Sequence, residues 1–382
     1  MVQISDKRTC CGCTACESIC PKKCISMISD SEGFVYPIVE SKDCIHCDLC
    51  ESVCPVINSK KLKHSNNIKN TYVGYSKNEN IRMESSSGGI FSLVAEYVLD
   101  QNGIVFGAAY DEQFIVKHIG IDNKNDLYKL RGSKYLQSNL SGIYNCIQKE
   151  LKAERLVLFT GTACQISGLK SYLKKEYSNL ITIDILCHGV PSPGVWRRYI
   201  NEKEQENGKI VAINLRSKNN GWYNYATRFE FSSGKVLECS HFDDLYMRLF
   251  LADICLRPSC HDCHFKNMDR QSDITIGDSW GIDRLLPQFT DDKGTSVIVI
   301  HSLQGQKIFK EIISQIVCVS VDLDTVLPRE ENSRKSVEAH INRKKFFVDY
   351  MNGAPINQLQ RHLNKSIFDR LRRKIRNTIK GL

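Results

Sequence analysis

Residues 10–21 read CCGCTACESICP, and residues 44–55 read CIHCDLCESVCP. Both stretches contain the spacing C-x2-C-x2-C-x3-C-P, which is typical of a domain that holds two four-iron clusters. In such a domain the fourth cysteine of each run lies too far round to bind its own cluster, so it binds the other one. We therefore predict one cluster on Cys10, Cys13, Cys16 and Cys54, and a second cluster on Cys44, Cys47, Cys50 and Cys20.

The doubled run also decides between competing chemistries. A zinc site or a disulfide framework is compatible with a lone C-x2-C pair, but not with two such runs that each end in Cys-Pro. Cys11 and Cys24 fall outside the pattern, and we expect them to be small buried fillers or neighbours of the ligands. The prediction for residues 1–58 is an α+β ferredoxin-like domain, and the polar stretch 59–71 is predicted to be a linker.

The composition is that of an ordinary globular protein of two or three domains, since 42% of the 382 residues are hydrophobic and 25% are charged. The formal net charge of +9 does not indicate nucleic-acid binding, because the excess gathers near the C-terminal end without a recognition motif. No apolar run approaches the roughly 18 residues of a membrane span, and the first residues lack the apolar stretch of a signal peptide. We expect a cytoplasmic protein whose 18 cysteines are reduced and serve metal.

A serine- and glycine-rich turn follows the first strand predicted beyond the linker. This strand, at 71–76, precedes Ser87, Gly88 and Gly89, after which apolar residues recur at helical spacing over 90–99. Free amide groups at the start of such a helix can bind phosphate, although serine and glycine also serve there as a simple helix cap.

Two cysteines follow two predicted buried strands. Cys164 comes after a strand at 155–160, and Cys187 comes after a strand at 181–186. The order strand, turn, helix indicates a parallel sheet, and open parallel sheets bind ligands outside the carboxyl ends of their strands. We expect the two thiols at one edge of the sheet, either as ligands or as buried structural residues. A further strand is predicted at 103–109, and the charged segment after it is expected to be exposed.

The sequence from residue 210 on indicates a mixed α/β domain, because alternating apolar and polar residues predict antiparallel strands at 210–215 and 225–231. Asp278 lies among glycines, where it either faces a ligand or accepts hydrogen bonds from its own turn.

Cys260 and Cys263 form half of a metal site. Two neighbouring histidines, His261 and His264, can complete the site for zinc. Zinc and an iron–sulfur cluster are equally compatible with this local sequence.

Six segments in this order resemble the beta-subunit family of coenzyme F420 hydrogenases and dehydrogenases: ESSSGGIFSLVAEYVL, RGSKYLQS, LFTGTACQISGLK, DILCHGVPSP, CLRPSCHDCHFK and SDITIGDSWG. The similarity covers roughly residues 1–330. It implies a flavoprotein that binds FAD and at least one four-iron cluster, with a mixed α/β flavin- and cluster-binding domain over 72–340. The family passes electrons between a ferredoxin-like donor and a two-electron acceptor.

The resemblance implies roles for individual residues. Those matched to the flavin-binding motifs are Ser87, Gly88, Gly89, Ser133, Lys134, Tyr135, Gly161 and Thr162. Gly161 and Thr162 belong to the third of these motifs, in which Ala163 replaces the usual proline. Those matched to a third cluster are Cys164, Cys187, Cys260 and Cys263. Cys255 competes for the position of Cys164, and a set of four thiolates favours iron over zinc.

Chemical roles are expected for two residues near the flavin or the third cluster. Lys134 is expected to supply positive charge that stabilises a reduced, anionic flavin. His188 is either a proton donor or a histidine held by a hydrogen bond beside the cluster, so no catalytic acid is assigned.

The predicted function is that of a ferredoxin-linked, flavin-dependent oxidoreductase. Electrons from a ferredoxin-like donor or a redox partner subunit would pass through 4Fe-4S clusters to FAD and on to coenzyme F420 or another small molecule. The alternative is an electron-transfer subunit without its own substrate site, which feeds a partner enzyme.

The C-terminal tail, 341–382, is predicted to end in a basic amphipathic helix over 360–382. Leucine or isoleucine recurs there at every fourth residue, with lysine and arginine on the other faces. Such a helix either packs its apolar stripe on its own domain or lies on an anionic surface such as the inner face of the membrane.

Overall fold

The computed structural model describes residues 1–61, 70–328 and 333–363. Most of the predicted linker, 62–69, lies outside these ranges. So does the greater part of the predicted basic helix, from residue 364 on. The described elements are numbered below in chain order.

The N-terminal domain consists of α1 (Ala15–Ile19), β1 (Ile25–Ser29), β2 (Val35–Val39) and α2 (Leu49–Ser52). β1 and β2 form an antiparallel hairpin, and each short helix lies inside one cysteine run. The residue before each helix has a left-handed backbone, with φ of 63° at Thr14 and 56° at Asp48. The two runs therefore bend in the same way at the same position of the repeat.

The strands of the main domain are β3 (Asn70–Ser76), β4 (Ile104–Tyr110), β5 (Val116–Ile121), β6 (Val157–Thr162), β7 (Leu180–Ile185), β8 (Ile210–Ser217), β9 (Ala226–Phe231), β10 (Val236–Ser240), β11 (Ile274–Asp278), β12 (Ser296–Ile300) and β13 (Ile316–Val321). An eight-stranded sheet has the order β13-β3-β12-β11-β7-β6-β4-β5, in which β4, β6, β7 and β11 run parallel. The remaining three strands form an antiparallel sheet of order β10-β9-β8.

The helices of the main domain are α3 (Glu79–Glu84), α4 (Ile90–Asp100), α5 (Ile143–Lys152), α6 (Ala163–Leu173), α7 (Pro193–Asn207), α8 (Leu245–Leu251), α9 (Ile282–Leu285), α10 (Leu303–Ile312), α11 (Leu323–Val326), α12 (Arg343–Met351) and α13 (Ile356–Leu359). α4 and α10 bury their apolar stripes on one face of the large sheet, and α5 and α6 cover the other face. α7, α8, α12 and α13 pack around the smaller sheet. None of the helices in the described ranges is long and apolar enough to cross a membrane.

The structure confirms the strands predicted from buried apolar runs or from alternating residues. The ends of β3, β4, β6, β7, β8 and β9 lie within two residues of the predicted ends. The mixed α/β class is confirmed as well. The segment after β4 is largely exposed, as expected, but it also contains β5, an unpredicted edge strand that pairs antiparallel with β4. The buried residues of β5 are Val116, His118 and Ile121, which do not alternate regularly, so its strand signal is weak.

Helix α7 is not among the predicted elements, since its sequence has no strong apolar period. The structure places Pro193 at the first helical position, where its missing amide and fixed φ are favourable. The Ser192 hydroxyl caps the helix by accepting hydrogen bonds from the amides of Gly194 and Val195, each at 3.1 Å.

The N-terminal domain is attached to the main domain at the tip of the β1–β2 hairpin. Glu32 forms a two-point ion pair with Arg343, with N–O distances of 3.1 and 2.6 Å. The Ser192 hydroxyl donates a hydrogen bond to the Glu32 carbonyl. Gly33 has a φ of +87°, and a Cβ built there would lie 2.5 Å from the backbone nitrogen of Gly194. Only glycine allows this close approach of hairpin and helix.

Gly33→Ala should therefore destabilise the protein more than Gly234→Ala does. Gly234, in the β9–β10 turn, has a similar φ of +80° but open space where a methyl group would lie, so it isolates the backbone cost of about 1 kcal/mol. The steric clash at Gly33 should add about 1–3 kcal/mol. Thermal unfolding followed by circular dichroism measures both losses, and equal losses would contradict the close approach.

Candidate redox site

The structure brings together both predicted ligand sets of the N-terminal domain. In the first set, burial and then the neighbouring thiols of Cys10 and Cys54 raise the pKa of Cys16 to about 12. Cys13 lies close to the same group. In the second set, Cys20, Cys44, Cys47 and Cys50 line one cavity. The fourth cysteine of each run thus lies with the first three of the other, as the spacing predicts.

Additional groups surround the second set. The Sγ of Cys24 lies 3.4 Å from the Sγ of Cys20, and Cys24 lines the same cavity, so it is a neighbour of a predicted ligand. The amide of Val2 donates a hydrogen bond of 3.4 Å to the Sγ of Cys50. Amide donors to ligand sulfurs are one of the means by which a protein sets the potential of a cluster.

The large sheet places the next two cysteines side by side. β6 and β7 are neighbouring parallel strands whose register pairs Thr162 with Ile185. Cys164, in the first turn of α6, and Cys187, two residues beyond β7, therefore lie at the same edge. This confirms the expectation that both follow the carboxyl ends of adjacent parallel strands.

A short helical turn at Pro258–Asp262 delivers the half-site to this edge. The amide of Arg257 donates to the Val190 carbonyl at 2.9 Å, and the amide of Val190 donates to the Sγ of Cys260 at 3.4 Å. The cysteines that line the resulting cavity are Cys11, Cys164, Cys187, Cys260 and Cys263. We call this the cysteine cavity.

Cys11 is the member of the cysteine cavity that sequence reasoning missed. Its thiol neighbours Cys13 of the first set and Cys164 of the cavity, so it lies between the two groups of ligands. The sequence places Cys11 beside a ligand, but only the docking of the two domains brings it to Cys164.

The thiols of the cysteine cavity fit a cluster with a cationic iron core. Burial raises the pKa of Cys187 to about 12 and that of Cys263 to about 11. The hydrogen bond with Cys11, and then burial, raise the pKa of Cys164 far above its usual range. Several thiols this close together disfavour one another's ionisation, whereas bound metal makes each of them a thiolate. Four such thiols are the donor set of a four-iron cluster.

Of the residues considered as alternative ligands, Cys255 and His261 lie outside the cysteine cavity and His264 lines it. Cys255 is fully buried in the core around the smaller sheet and does not line the cysteine cavity. His261 is absent from the lining too, and its Nδ1 lies 3.0 Å from the Val337 carbonyl. His264 does line the cavity. In the part of the chain that the structure describes, no three Cys, His, Asp or Glu side chains converge tightly enough for a single metal ion. A four-iron cube holds each thiolate on a different iron, so its ligands need not converge in that way.

A wide groove opens elsewhere in the main domain. Its walls are the end of α3, the segment 128–134 and strand β8. Ser133 and Lys134 line it, together with Ser86 and Arg216. The hydroxyl of Ser86 accepts hydrogen bonds from the amide of Ser133 at 2.7 Å and from its hydroxyl at 2.9 Å. We call this the Lys134 groove.

Lys134 is held by backbone carbonyls rather than by a carboxylate. Its Nζ donates to the carbonyl of Arg131 at 2.7 Å and to that of Lys129 at 3.0 Å. Burial lowers the pKa of Lys134 to about 7. Its charge therefore depends on pH near neutrality.

The other residues matched to flavin motifs lie outside the lining of the Lys134 groove. Gly88 donates its amide to the Ser296 hydroxyl at 2.9 Å, and a Cβ built on it would lie 2.6 Å from the Gly74 carbonyl. Packing against the sheet therefore already requires glycine at this position. Ser87 donates its hydroxyl to the Thr295 carbonyl at 2.9 Å, and Gly89 has a φ of +87° where α4 begins.

The third motif belongs to the cysteine cavity. Thr162 lines the cavity, and its Oγ1 lies 3.0 Å from the Sγ of Cys164. Gly161 lies just before it at the end of β6, with the Gln165 side chain in the place of a Cβ. Thr162 and Gln165 form the capping box of α6, which fixes the turn although Ala163 replaces the usual proline.

Three rings connect the Lys134 groove with the cysteine cavity. The ring of Tyr135, just after Lys134, lies 5.0 Å from that of Phe250, which lies 5.2 Å from the ring of His188. His188 lines the cavity, and its Nε2 is 2.6 Å from a carboxylate oxygen of Asp253. The histidine is thus held by a hydrogen bond beside the cysteines, which is one of the two roles expected for it.

Asp278 is an ion-pair partner rather than a turn residue. Its carboxylate accepts from Arg216 at 2.9 and 3.3 Å and from the indole nitrogen of Trp222 at 3.1 Å. Arg216 also donates to the Tyr135 hydroxyl at 3.0 Å and to the Ser86 carbonyl at 3.1 Å. Sequence reasoning missed Arg216, because only the tertiary structure shows that it orders the wall of the Lys134 groove.

Comparison with known proteins agrees with this arrangement of domains. A family model described as 4Fe-4S dicluster domain matches residues 9–58. Family models described as coenzyme F420 hydrogenase/dehydrogenase, beta subunit, match residues 71–144 with the N-terminal part and residues 154–325 with the C-terminal part. No curated protein sequence matches the chain significantly.

Among solved structures, a chain of the F420-reducing NiFe hydrogenase complex from Methanosarcina barkeri is similar to this protein. The two share 16% sequence identity, the match covers 76% of this chain and 91% of that chain, and the TM-score is 0.47. The two beta-subunit family models together match most of the main domain, directly behind the dicluster domain. The chain belongs to the coenzyme F420 hydrogenase/dehydrogenase beta-subunit family.

Proposed function

We propose that this protein is an iron–sulfur flavoprotein oxidoreductase. It would take electrons from a ferredoxin-like donor and pass them to a two-electron acceptor, coenzyme F420 or another small molecule. The observation that carries this proposal is the convergence of Cys164, Cys187, Cys260 and Cys263 on one cavity beside the dicluster domain. A purely structural role for these thiols would not explain why four of them, from three separate segments, line one cavity.

The N-terminal domain would deliver electrons to that cavity. Cys11, which lines the cavity, neighbours both Cys13 of the first ligand set and Cys164 of the cavity. Cys47 of the second set is exposed at the surface, where a donor can approach. The second ligand set would thus be the entry point for electrons, the first set the intermediate group, and the cysteine cavity the buried third group.

The Lys134 groove is the proposed FAD site. When bound, FAD exchanges one or two electrons and supplies a hydride, which single-electron clusters do not. Ser133 and Lys134 line the groove, Arg216 orders its wall, and Tyr135 lies between it and the cysteine cavity. Lys134 would supply positive charge toward an anionic ligand, and Ser133 an amide and a hydroxyl that are already oriented by Ser86.

The second candidate is an electron-transfer subunit that feeds a partner enzyme. The matching family models describe a beta subunit, so we include a redox partner subunit among the proposed partners. The two candidates differ in one property, because only the oxidoreductase reduces a small acceptor by itself.

The experiment that tests the proposal is stepwise reduction of protein purified without oxygen. We expect about one FAD per chain, loss of the flavin absorbance when reduced ferredoxin is added, and its return when an acceptor such as coenzyme F420 is added. Cys47→Ala should slow reduction by ferredoxin and leave photochemical reduction of the flavin unchanged. Protein without flavin would contradict the proposal, and flavin that no small acceptor reoxidises would favour the second candidate.

Replacing Cys164 should remove one cluster, whereas replacing Cys255 should remove none. Wild-type protein should contain about twelve irons per chain, and Cys164→Ala should contain about eight, because four irons leave with the third cluster. Cys255→Ala is the matched control, since this thiol is buried in the same domain but lies outside the cavity. Iron and acid-labile sulfide analysis gives both values. Loss of iron in Cys255→Ala alone would overturn the assignment.

FAD binding should weaken as pH rises through 7. Burial lowers the pKa of Lys134 to about 7, so its ammonium is present below this pH and is lost above it, while the FAD diphosphate stays anionic. We expect the dissociation constant to rise up to about tenfold from pH 6 to pH 8, the effect of one pKa unit.

Two variants of Lys134 separate this effect from others. Lys134→Met should bind FAD weakly with a flat pH profile, and Lys134→Arg should bind it with a flat profile because arginine stays charged. Equilibrium dialysis of flavin-depleted protein measures the constants. The same pH profile in wild type and Lys134→Met would exclude Lys134 as the responsible group.

A further inference from the structure

Arg257 is a buried cation between the first N-terminal ligand set and the cysteine cavity. Its side chain is 0% exposed, and the residue lines the cavity. Nε donates to the Cys10 carbonyl at 2.8 Å, Nη1 to Oε1 of Gln137 at 2.8 Å, and Nη2 to the Val35 carbonyl at 2.9 Å. Nη2 also lies 3.6 Å from the Sγ of Cys10, a predicted cluster ligand.

The neutralisation of Arg257 differs from that of the other buried arginines. Arg82, Arg216 and Arg270 each form an ion pair with an aspartate, at N–O distances of 2.6, 2.9 and 3.3 Å. Over the described ranges 1–61, 70–328 and 333–363, Arg257 has carbonyl, amide, sulfur and aromatic partners but no carboxylate. Burying a guanidinium without a counter-charge costs several kcal/mol, so a negative group is expected to face it.

The neighbours of Arg257 that would become negative when a cluster binds are thiols. On one side lies Cys10 of the first set, and on the other lie the cysteines of the cavity. A four-iron cube held by four thiolates carries net negative charge, and that charge becomes more negative on reduction. A fixed cation in a buried site therefore stabilises the reduced cluster more than the oxidised one.

We propose that Arg257 is the counter-cation of the first N-terminal cluster and of the cluster in the cysteine cavity, and that it raises the reduction potential of both above that of the second cluster. This inference rests on the proposed function, since it requires clusters at both positions. Arg257 is a positioning residue, because it acts on the charge of the clusters and donates to a ligand sulfur without binding iron.

Among the residues described, the second ligand set has no buried cation that lacks a carboxylate partner. The terminal ammonium of Met1 lines its cavity, but it is paired with Asp48 at 3.0 Å and with Glu51 at 2.7 Å. Lys22 is exposed to solvent, and the amide of Val2, which donates to the Sγ of Cys50, is neutral. Water and salt screen exposed charges, whereas a buried charge is screened much less. The second cluster is therefore expected to have the lower potential, so electrons that enter at its exposed ligand Cys47 run downhill toward the cavity.

The test is a redox titration of the full-length protein, reconstituted with iron and sulfide without oxygen and followed by electron paramagnetic resonance. In Arg257→Met the equilibrium constant for one-electron reduction of the first cluster should fall at least tenfold, a downward shift of about 59 mV, and the cavity cluster should shift the same way. The second cluster, identified by the loss of its signal in Cys47→Ala, should not move. Arg257→Lys should retain part of the potential, because it keeps the charge.

Gln137→Glu tests the same charge without removing the arginine. The new carboxylate would keep an oxygen that accepts from Nη1 at 2.8 Å and would neutralise Arg257 at nearly unchanged size, with loss of the hydrogen bond that the Gln137 amide donates to the Cys11 carbonyl at 3.2 Å. It should lower the same two potentials and spare the second. Should Arg257→Met lose iron, this variant decides the result. Arg343→Met is the matched control, because Arg343 contacts the same hairpin and loop through Glu32 and the Leu256 carbonyl but no thiol.

Unchanged potentials in Gln137→Glu and Arg257→Met with full iron content would overturn the inference, and so would an equal shift of all three clusters or a shift in Arg343→Met. Failure of the proposed function is distinct, because wild-type protein would then lack the irons of the cavity or the flavin before any variant is made.

Discussion

The parallel pairing of β6 with β7 is the constraint on which the candidate site depends. A cysteine placed just beyond each of these strands is carried to the same edge by the register of Thr162 with Ile185. The loop at Pro258–Asp262 then needs only to lie along that edge, where the Val190 carbonyl and amide hold it. Thiols far apart in the chain thus meet through sheet geometry, whereas the thiols of the N-terminal domain meet through tight local loops.

The docking of the N-terminal domain completes the site. The β1–β2 hairpin reaches the main domain through Gly33 and the Glu32–Arg343 ion pair, and this places Cys11 against Cys164. Burial makes the thiols poor acids, and Arg257 has no carboxylate partner among the described residues. These groups are costly to bury unless a charged cluster joins them. Protein charge and cluster charge are in this view complementary parts of one buried site.

The two N-terminal ligand sets could be predicted from the sequence, because a cluster held by a short loop leaves its spacing in the sequence. The strand-end positions of Cys164 and Cys187 could be predicted from buried runs alone. The role of Cys11, the ion pair of Arg216 with Asp278 and the partners of Arg257 could not, since each joins segments distant in sequence. Helix α7 was missed for a local reason, because proline at its first position and a largely polar sequence give a weak helix signal, although proline is favourable there.

The residues that the resemblance matches to the flavin lie in more than one place. Ser133 and Lys134 line the groove, but Gly88 is glycine because the Gly74 carbonyl lies where a side chain would be, which no sequence pattern reveals. Thr162 lines the cysteine cavity, and Gly161 precedes it at the end of β6, so this motif lies apart from the Lys134 groove.

The central claim is that the cysteine cavity holds an iron–sulfur cluster between the dicluster domain and the flavin site. Anomalous diffraction from crystals grown without oxygen, recorded above and below the iron edge, tests it most directly. The account predicts three iron peaks, the third enclosed by Cys164, Cys187, Cys260 and Cys263. Iron peaks confined to the N-terminal domain, or a peak in the cavity that appears at the zinc edge instead, would contradict it.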